Sequence, residues 1–169
     1  MSQNVYPCGT MRREGVITIV SFGFFLILVG AIFVAWPTLY NALSTFLNSN
    51  SWMNVNIRNS GVVIPVPITP SAHHVVYEAA FEFCLAWGLF QVFVIAFRFV
   101  SGSSPRRKTR TISSAVFWLG ASYLINVYLD SLKATSKNQL DAWYTFWAAI
   151  IVLIGVALIV RGLARLAMR

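Results

Sequence analysis

Four long runs of apolar residues, separated by short polar segments, dominate the pattern of this chain. They cover about residues 16–36, 75–98, 111–131 and 142–163. A helix rises about 1.5 Å per residue, so about twenty residues cross the roughly 30 Å hydrocarbon core of a bilayer. The pattern predicts an all-α fold, an integral membrane four-helix bundle that forms one transmembrane domain over residues 1–169.

The longest connection, residues 37–74, is predicted to be an outer loop. Pro37 lacks a backbone donor and therefore ends or kinks the first span. Residues 38–47 keep a helical spacing of apolar side chains, which fits an interfacial helix or a bent continuation of span one. The stretch V-V-I-P-V-P-I-T-P that follows favours an extended course, and its apolar residues predict packing on the bundle.

Composition supports a membrane protein and changes how the charge is interpreted. Hydrophobic residues make up 57% of the chain and charged residues 11%, whereas a typical soluble domain is about 25% charged. A net charge of +8 would suggest nucleic acid binding in a soluble protein. Here the basic residues cluster at the ends of the apolar runs, so we expect the lipid bilayer as a partner and no nucleic acid.

The distribution of basic residues predicts the orientation of the spans. With a cytoplasmic N-terminus, the outer side carries only Arg58, Lys133 and Lys137. All other lysines and arginines lie on the cytoplasmic side: Arg12, Arg13, Arg98, Arg106, Arg107, Lys108, Arg110, Arg161, Arg165 and Arg169. By the positive-inside rule, both termini are cytoplasmic in a multi-pass protein of the cell membrane.

One basic segment lies between spans two and three. We expect its side chains to contact anionic lipid headgroups, which attract clustered lysine and arginine. The residues are Arg106, Arg107, Lys108 and Arg110.

Candidate chemistry concentrates at the start of span two. His74, Glu78 and Glu82 are spaced four residues apart and therefore share one helical stripe. Imidazole and carboxylate groups bind Zn, Fe, Mn or Cu, so the stripe predicts a metal site, with His73 and Asp130 as further candidates. The structural alternative places Glu78 among headgroups and has Glu82 protonated or hydrogen-bonded to a neighbouring helix.

Polar residues within the spans suggest a second use. An acidic side chain at mid-membrane costs about 2.5–3.5 kcal/mol, and such residues usually serve function. Glu82, Gln91 and Asn126 therefore form a candidate ion or proton path. Four spans rarely enclose a pore alone, so this path would require a symmetric oligomer.

Two glycine pairs suggest helix contacts. Gly23 and Gly30 lie seven residues apart in span one, as do Gly155 and Gly162 in span four. Glycine has no side chain, so both pairs predict close approach of a neighbouring helix.

The motifs of common enzyme classes are absent from the sequence, which leaves no catalytic residue and no cofactor to assign. The most economical interpretation is an accessory or scaffold subunit that meets a membrane-protein partner or its own copies. The alternatives are an oligomeric proton or cation channel or transporter that uses Glu82, and a metal-binding protein or enzyme at the outer face.

Overall fold

Five helices account for most of the structure, a computed structural model that describes residues 8–48, 52–56, 63–68, 70–101, 104–129 and 139–167. The helices are α1 (Cys8–Ala35), α2 (Leu39–Leu47), α3 (His74–Val100), α4 (Pro105–Leu124) and α5 (Gln139–Ala167). All except α2 are long and apolar enough to cross a membrane. The predicted all-α membrane bundle is confirmed, and the protein has the helices of a multi-pass membrane protein.

The four long helices follow one another in space as they do in sequence. The most extensive packing joins α3 to α4 and α4 to α5, whereas α1 packs less extensively and mainly on α3. Aromatic rings fill the α1–α3 contact, where Phe24 stacks on Phe90 with ring centroids 4.0 Å apart. The result is a row of helices with α1 and α5 at its ends.

Close helix approach occurs at glycines other than the predicted ones. A Cβ atom added to Gly88 of α3 would lie 2.7 Å from the side chain of Leu119 in α4. A Cβ added to Gly120 would collide with Leu153 of α5. Gly88 and Gly120 therefore allow the three best-packed helices to come together.

The predicted contacts at the two glycine pairs are not found among the described residues. A Cβ at any member of either pair would meet no other atom within 4 Å: Gly23, Gly30, Gly155 and Gly162. Periodic spacing predicts that small residues share a face, but it does not say which face meets another helix of the same chain.

The chain between α1 and α3 begins with a separate helix. Helix α1 ends at Ala35, a turn follows at Pro37, and α2 starts at Leu39. Of the two predicted alternatives for residues 38–47, the structure has a distinct helix. Leu39 is buried in a small cluster with Ile32 and Ala79, so this helix lies against the ends of α1 and α3.

A two-stranded antiparallel ribbon follows α2. Strand β1 (Trp52–Asn56) pairs with β2 (Val63–Pro67), with Trp52 opposite Pro67. The extended course predicted for the proline-rich stretch is confirmed over Val63–Pro67, although its pairing partner was not predicted. At Pro70 the chain instead begins a 3-10 turn, Pro70–His73. Val66 is fully buried in the main core cluster, which confirms that the ribbon packs on the bundle.

Helix α4 starts at Pro105, six residues before the predicted start of span three at residue 111, and it is followed by a π-helical turn. Pro105 occupies the first helical turn, where its missing N–H costs nothing and its fixed φ favours a helix. The basic residues Arg106, Arg107, Lys108 and Arg110, predicted to lie between spans two and three, are therefore part of α4. After Leu124, residues Ile125–Leu129 continue as a π-helical turn.

Candidate functional site

A cleft of about 370 Å³ lies at the end of the bundle where α3 begins. Helix α3 forms one wall, Trp36 at the end of α1 a second, and the π-helical turn after α4 a third. The lining residues are Trp36, Tyr77, Glu78, Phe81, Glu82, Ile125 and Asn126. We call this space the outer cleft, after the predicted orientation. It combines two carboxylates with three aromatic side chains.

The Glu82 side chain is held in place across the cleft by Trp36. The indole Nε1–H of Trp36 donates a hydrogen bond of 2.9 Å to Oε2 of Glu82. Two helical steps of four residues place Tyr77, Phe81 and the neighbouring glutamates on the same side of α3. Glu82 is exposed rather than enclosed by helices, so it remains open to a ligand or to water in the cleft.

Tyr77 and Asn126 supply further polar groups. The Tyr77 hydroxyl is buried and has no hydrogen-bond partner among the described residues. Asn126 lies in the π-helical turn, a kind of irregularity that is frequent at functional sites because it redirects side chains. The structure thus brings Glu82 and Asn126, two members of the predicted ion path, to one cleft.

The two histidines lie in different surroundings. His73 is buried, and its ring meets that of Phe46 edge to face, with centroids 5.1 Å apart. Burial lowers the pKa of His73 because the charged imidazolium loses water. His74, at the start of α3, is exposed.

The predicted metal site is therefore not assembled by the described residues alone. Among them, no three histidine, cysteine, aspartate or glutamate side chains lie close enough together to hold a metal ion. Asp130, one of the predicted candidates, lies outside the described residues. Metal binding by His74, Glu78 and Glu82 stays a prediction.

Gln91, the third member of the predicted path, lines a different cleft at the opposite end of the bundle. This inner cleft has a volume of about 400 Å³ between α1, α3 and α4. Arg98, Arg107 and Arg110 also line it, together with hydroxyl side chains that include Ser21 and Ser114. The path residues therefore divide between two clefts of opposite charge.

The residues predicted to contact lipid headgroups lie on the first two turns of α4. Arg106, Arg107 and Arg110 are exposed, whereas the Lys108 ammonium lies 4.6 Å from the centre of the Phe99 ring. Of this group, Arg107 and Arg110 face the inner cleft. Their contact with lipid stays a prediction.

Sequence reasoning missed several residues that form the clefts. Trp36, Tyr77 and Phe81 received no functional assignment from the sequence. Arg98 was used only for orientation. The spacing of Tyr77, Glu78, Phe81 and Glu82 was a usable signal, because four-residue steps place aromatic and acidic side chains side by side.

No protein-family model, curated protein or solved structure matches this chain.

Proposed function

We propose that the protein binds a small organic cation of the ammonium class in the outer cleft, as a cation-handling protein of the cell membrane. The observation that carries this proposal is the shared cleft of Glu78, Glu82 and three aromatic side chains. Carboxylates attract a cation through charge, and aromatic faces attract it through their quadrupole, at about 0.5–2 kcal/mol per ring.

The volume of the outer cleft and the fixed position of the Glu82 carboxylate both favour binding of a small ligand. A volume of about 370 Å³ falls within the range of roughly 300–1,000 Å³ that is usual for small-molecule sites. The hydrogen bond from Trp36 orients the Glu82 carboxylate before any ligand arrives. A preformed carboxylate reduces the ordering cost of binding.

The depth of Glu82 along α3 strengthens its attraction for a cation. Glu82 lies eight residues into α3, which corresponds to about 12 Å along the helix axis. The hydrocarbon that borders a site at this depth has a lower effective dielectric constant than water, and ionic attraction is correspondingly stronger. Binding in this cleft is the first step that a channel or transporter using Glu82 requires.

The test is a calorimetric titration of detergent-purified protein with tetramethylammonium chloride. Glu82→Gln keeps the size of the side chain but removes its charge. We expect binding at least about tenfold weaker, since two unit charges about 4 Å apart near a protein surface attract each other by about 4 kcal/mol and a tenfold change needs about 1.4 kcal/mol. Asp141→Asn is the matched control, because Asp141 is exposed on α5 and does not line the cleft.

Two results would contradict the proposal. One is an absence of tetramethylammonium binding to the wild type, and the other is equal binding by the wild type and Glu82→Gln. A parallel titration with zinc chloride examines the metal alternative, because zinc accepts both imidazole and carboxylate ligands. Zinc binding that Glu82→Gln abolishes, without ammonium binding, would favour the predicted metal role of His74, Glu78 and Glu82.

An accessory or scaffold subunit is the second candidate function. The observation that favours it is the open surface at Gly23 and Gly30 of α1 and at Gly155 and Gly162 of α5. A helix of a partner or of a second copy can approach closely at such positions. The titration separates the two candidates, because an accessory role requires no cation to bind.

A further inference from the structure

We propose that the inner cleft is a binding site for a phosphate-bearing anion, either the headgroup of an anionic lipid or a free phosphate. The site consists of Arg98, Arg107 and Arg110 at its mouth and Gln91, Ser21 and Ser114 deeper in the bundle. It is separate from the outer cleft and from a general attraction of surface charges to the bilayer.

The lining of the cleft contains three arginines and no acidic residue. Arg98 comes from the end of α3, whereas Arg107 and Arg110 come from the first turns of α4. Like charges that converge on one space repel each other, and an anion between them removes this repulsion. Guanidinium groups suit phosphate because their planar N–H donors pair with two oxygens at once.

The fold positions Arg98 through hydrogen bonds to neutral groups. Its Nη1 donates to the carbonyl oxygen of Arg107 at 3.0 Å and to the hydroxyl oxygen of Thr111 at 2.7 Å. The Nε–H of Arg98 is buried and has no partner among the described residues. The charge of Arg98 is thus held at the cleft, with a donor still unused.

Helix α4 adds to the positive potential at the cleft. Its first turn contains no acidic residue, although the N-terminus of a helix carries a partial positive charge. Positively charged side chains destabilise the N-terminus of a helix, so Arg106, Arg107 and Lys108 lower the stability of α4 taken alone. A bound anion reverses the effect, since helix N-termini favour phosphate groups.

Gln91 is the independent observation that points to a ligand. Its side chain is 7% exposed and borders the cleft, and its Oε1 has no hydrogen-bond partner among the described residues. A buried polar atom without a partner costs about 1–3 kcal/mol. Inorganic phosphate, which keeps an O–H group at neutral pH, or a lipid headgroup with a hydroxyl supplies both donors and acceptors for this amide.

The experiment compares two arginines that differ in position but not in charge. Arg106 and Arg110 are both exposed on α4, and only Arg110 lines the cleft. Native mass spectrometry of the full chain measures retention of phosphatidylglycerol against phosphatidylcholine. A thermal shift with sodium phosphate against sodium chloride measures the response to the free ion.

We expect Arg110→Gln to weaken anion binding at least about tenfold and Arg106→Gln to weaken it far less. Gln91→Leu is the second variant, since it adds no charge and suits an apolar helix, and it should also weaken binding. Selective loss of phosphatidylglycerol supports the lipid source, and selective loss of the phosphate response supports the free ion. Equal loss in both arginine variants, or no binding of either anion to the wild type, overturns the proposal.

Discussion

His73 shows how much the neighbourhood of a residue decides its chemistry. The sequence analysis grouped it with His74 as a possible metal ligand, but the side chain is buried against Phe46. His73 ends the 3-10 turn Pro70–His73, whereas His74 begins α3, so the first faces Phe46 of α2 and the second remains exposed. Residue type suggested the chemistry, and only packing could separate the two imidazoles.

Burial of His73 leads to a prediction about pH. The pKa of His73 is lowered in the folded state, so unfolding takes up a proton as the pH falls below the usual value of about 6.5. The contribution of His73 is fully present above that value and is lost as the pH falls toward the lower folded-state pKa. We expect the melting temperature to fall between about pH 7.5 and about pH 5.5, and to fall less in His73→Phe.

Melting curves in detergent at both pH values measure this effect. His74→Gln is the matched control because His74 is adjacent and exposed, and it should retain the pH response of the wild type. The same drop in the wild type and in His73→Phe would show that other groups cause the response.

The acidic residues at the outer cleft were partly predictable. Periodicity identified the stripe that carries Glu78 and Glu82, and the structural alternative for Glu82 is close to what is found, since it does accept a hydrogen bond. The donor, Trp36, lies 46 residues away. No local pattern encodes such a pairing, because it depends on where α1 ends relative to α3.

At the scale of elements, the four spans were predicted well because long apolar runs have one dominant explanation. Their ends were harder to predict. The start of α4 at Pro105 depends on capping chemistry rather than hydropathy, and the pairing of β1 with β2 depends on non-local register. The contacts between helices were the least predictable feature. Glycine occurs both where helices pack, as at Gly88, and on open faces, as at Gly155.

The contrast between Gly88 and Gly155 provides a prediction about helix packing. In Gly88→Ala the new methyl group would lie 2.7 Å from Leu119 Cδ2 and 3.1 Å from its backbone nitrogen, so α3 and α4 must separate. We expect a loss of about 1–3 kcal/mol in the free energy of unfolding. Gly155→Ala should change it by less than about 1 kcal/mol, because the added methyl group meets no described atom and alanine favours a helix.

Denaturant unfolding of both variants in the same detergent gives the two values. If Gly88→Ala is as stable as Gly155→Ala, the α3–α4 contact is looser than the structure has it. Gly120→Ala is less informative, since the atom it would meet belongs to a side chain that can rotate.

At the scale of the whole molecule, the distribution of charge predicts the orientation of the bundle in the membrane. The basic end of the bundle includes Arg98, Arg107 and Arg110, and the opposite end carries the acidic cleft. The positive-inside rule predicts that the basic end and both termini face the cytoplasm. Two exposed positions at opposite ends test this: Ser104, before α4, and Ile68, after β2.

The measurement is labelling of intact cells with a membrane-impermeant maleimide, on a chain in which Cys8 and Cys84 are replaced. We expect Ile68→Cys to react in intact cells and Ser104→Cys to react only after permeabilisation. The opposite labelling pattern would show that the bundle is inserted the other way round.

The position of α1 at the end of the row has a consequence for both clefts. Ser21 of α1 borders the inner cleft, and Trp36, the residue after α1, borders the outer one. The contact that fixes this helix is chiefly the aromatic stack on α3. Helix α1 therefore borders both clefts. If α1 tilts about its aromatic contact with α3, the widths of the inner cleft and of the outer cleft change together.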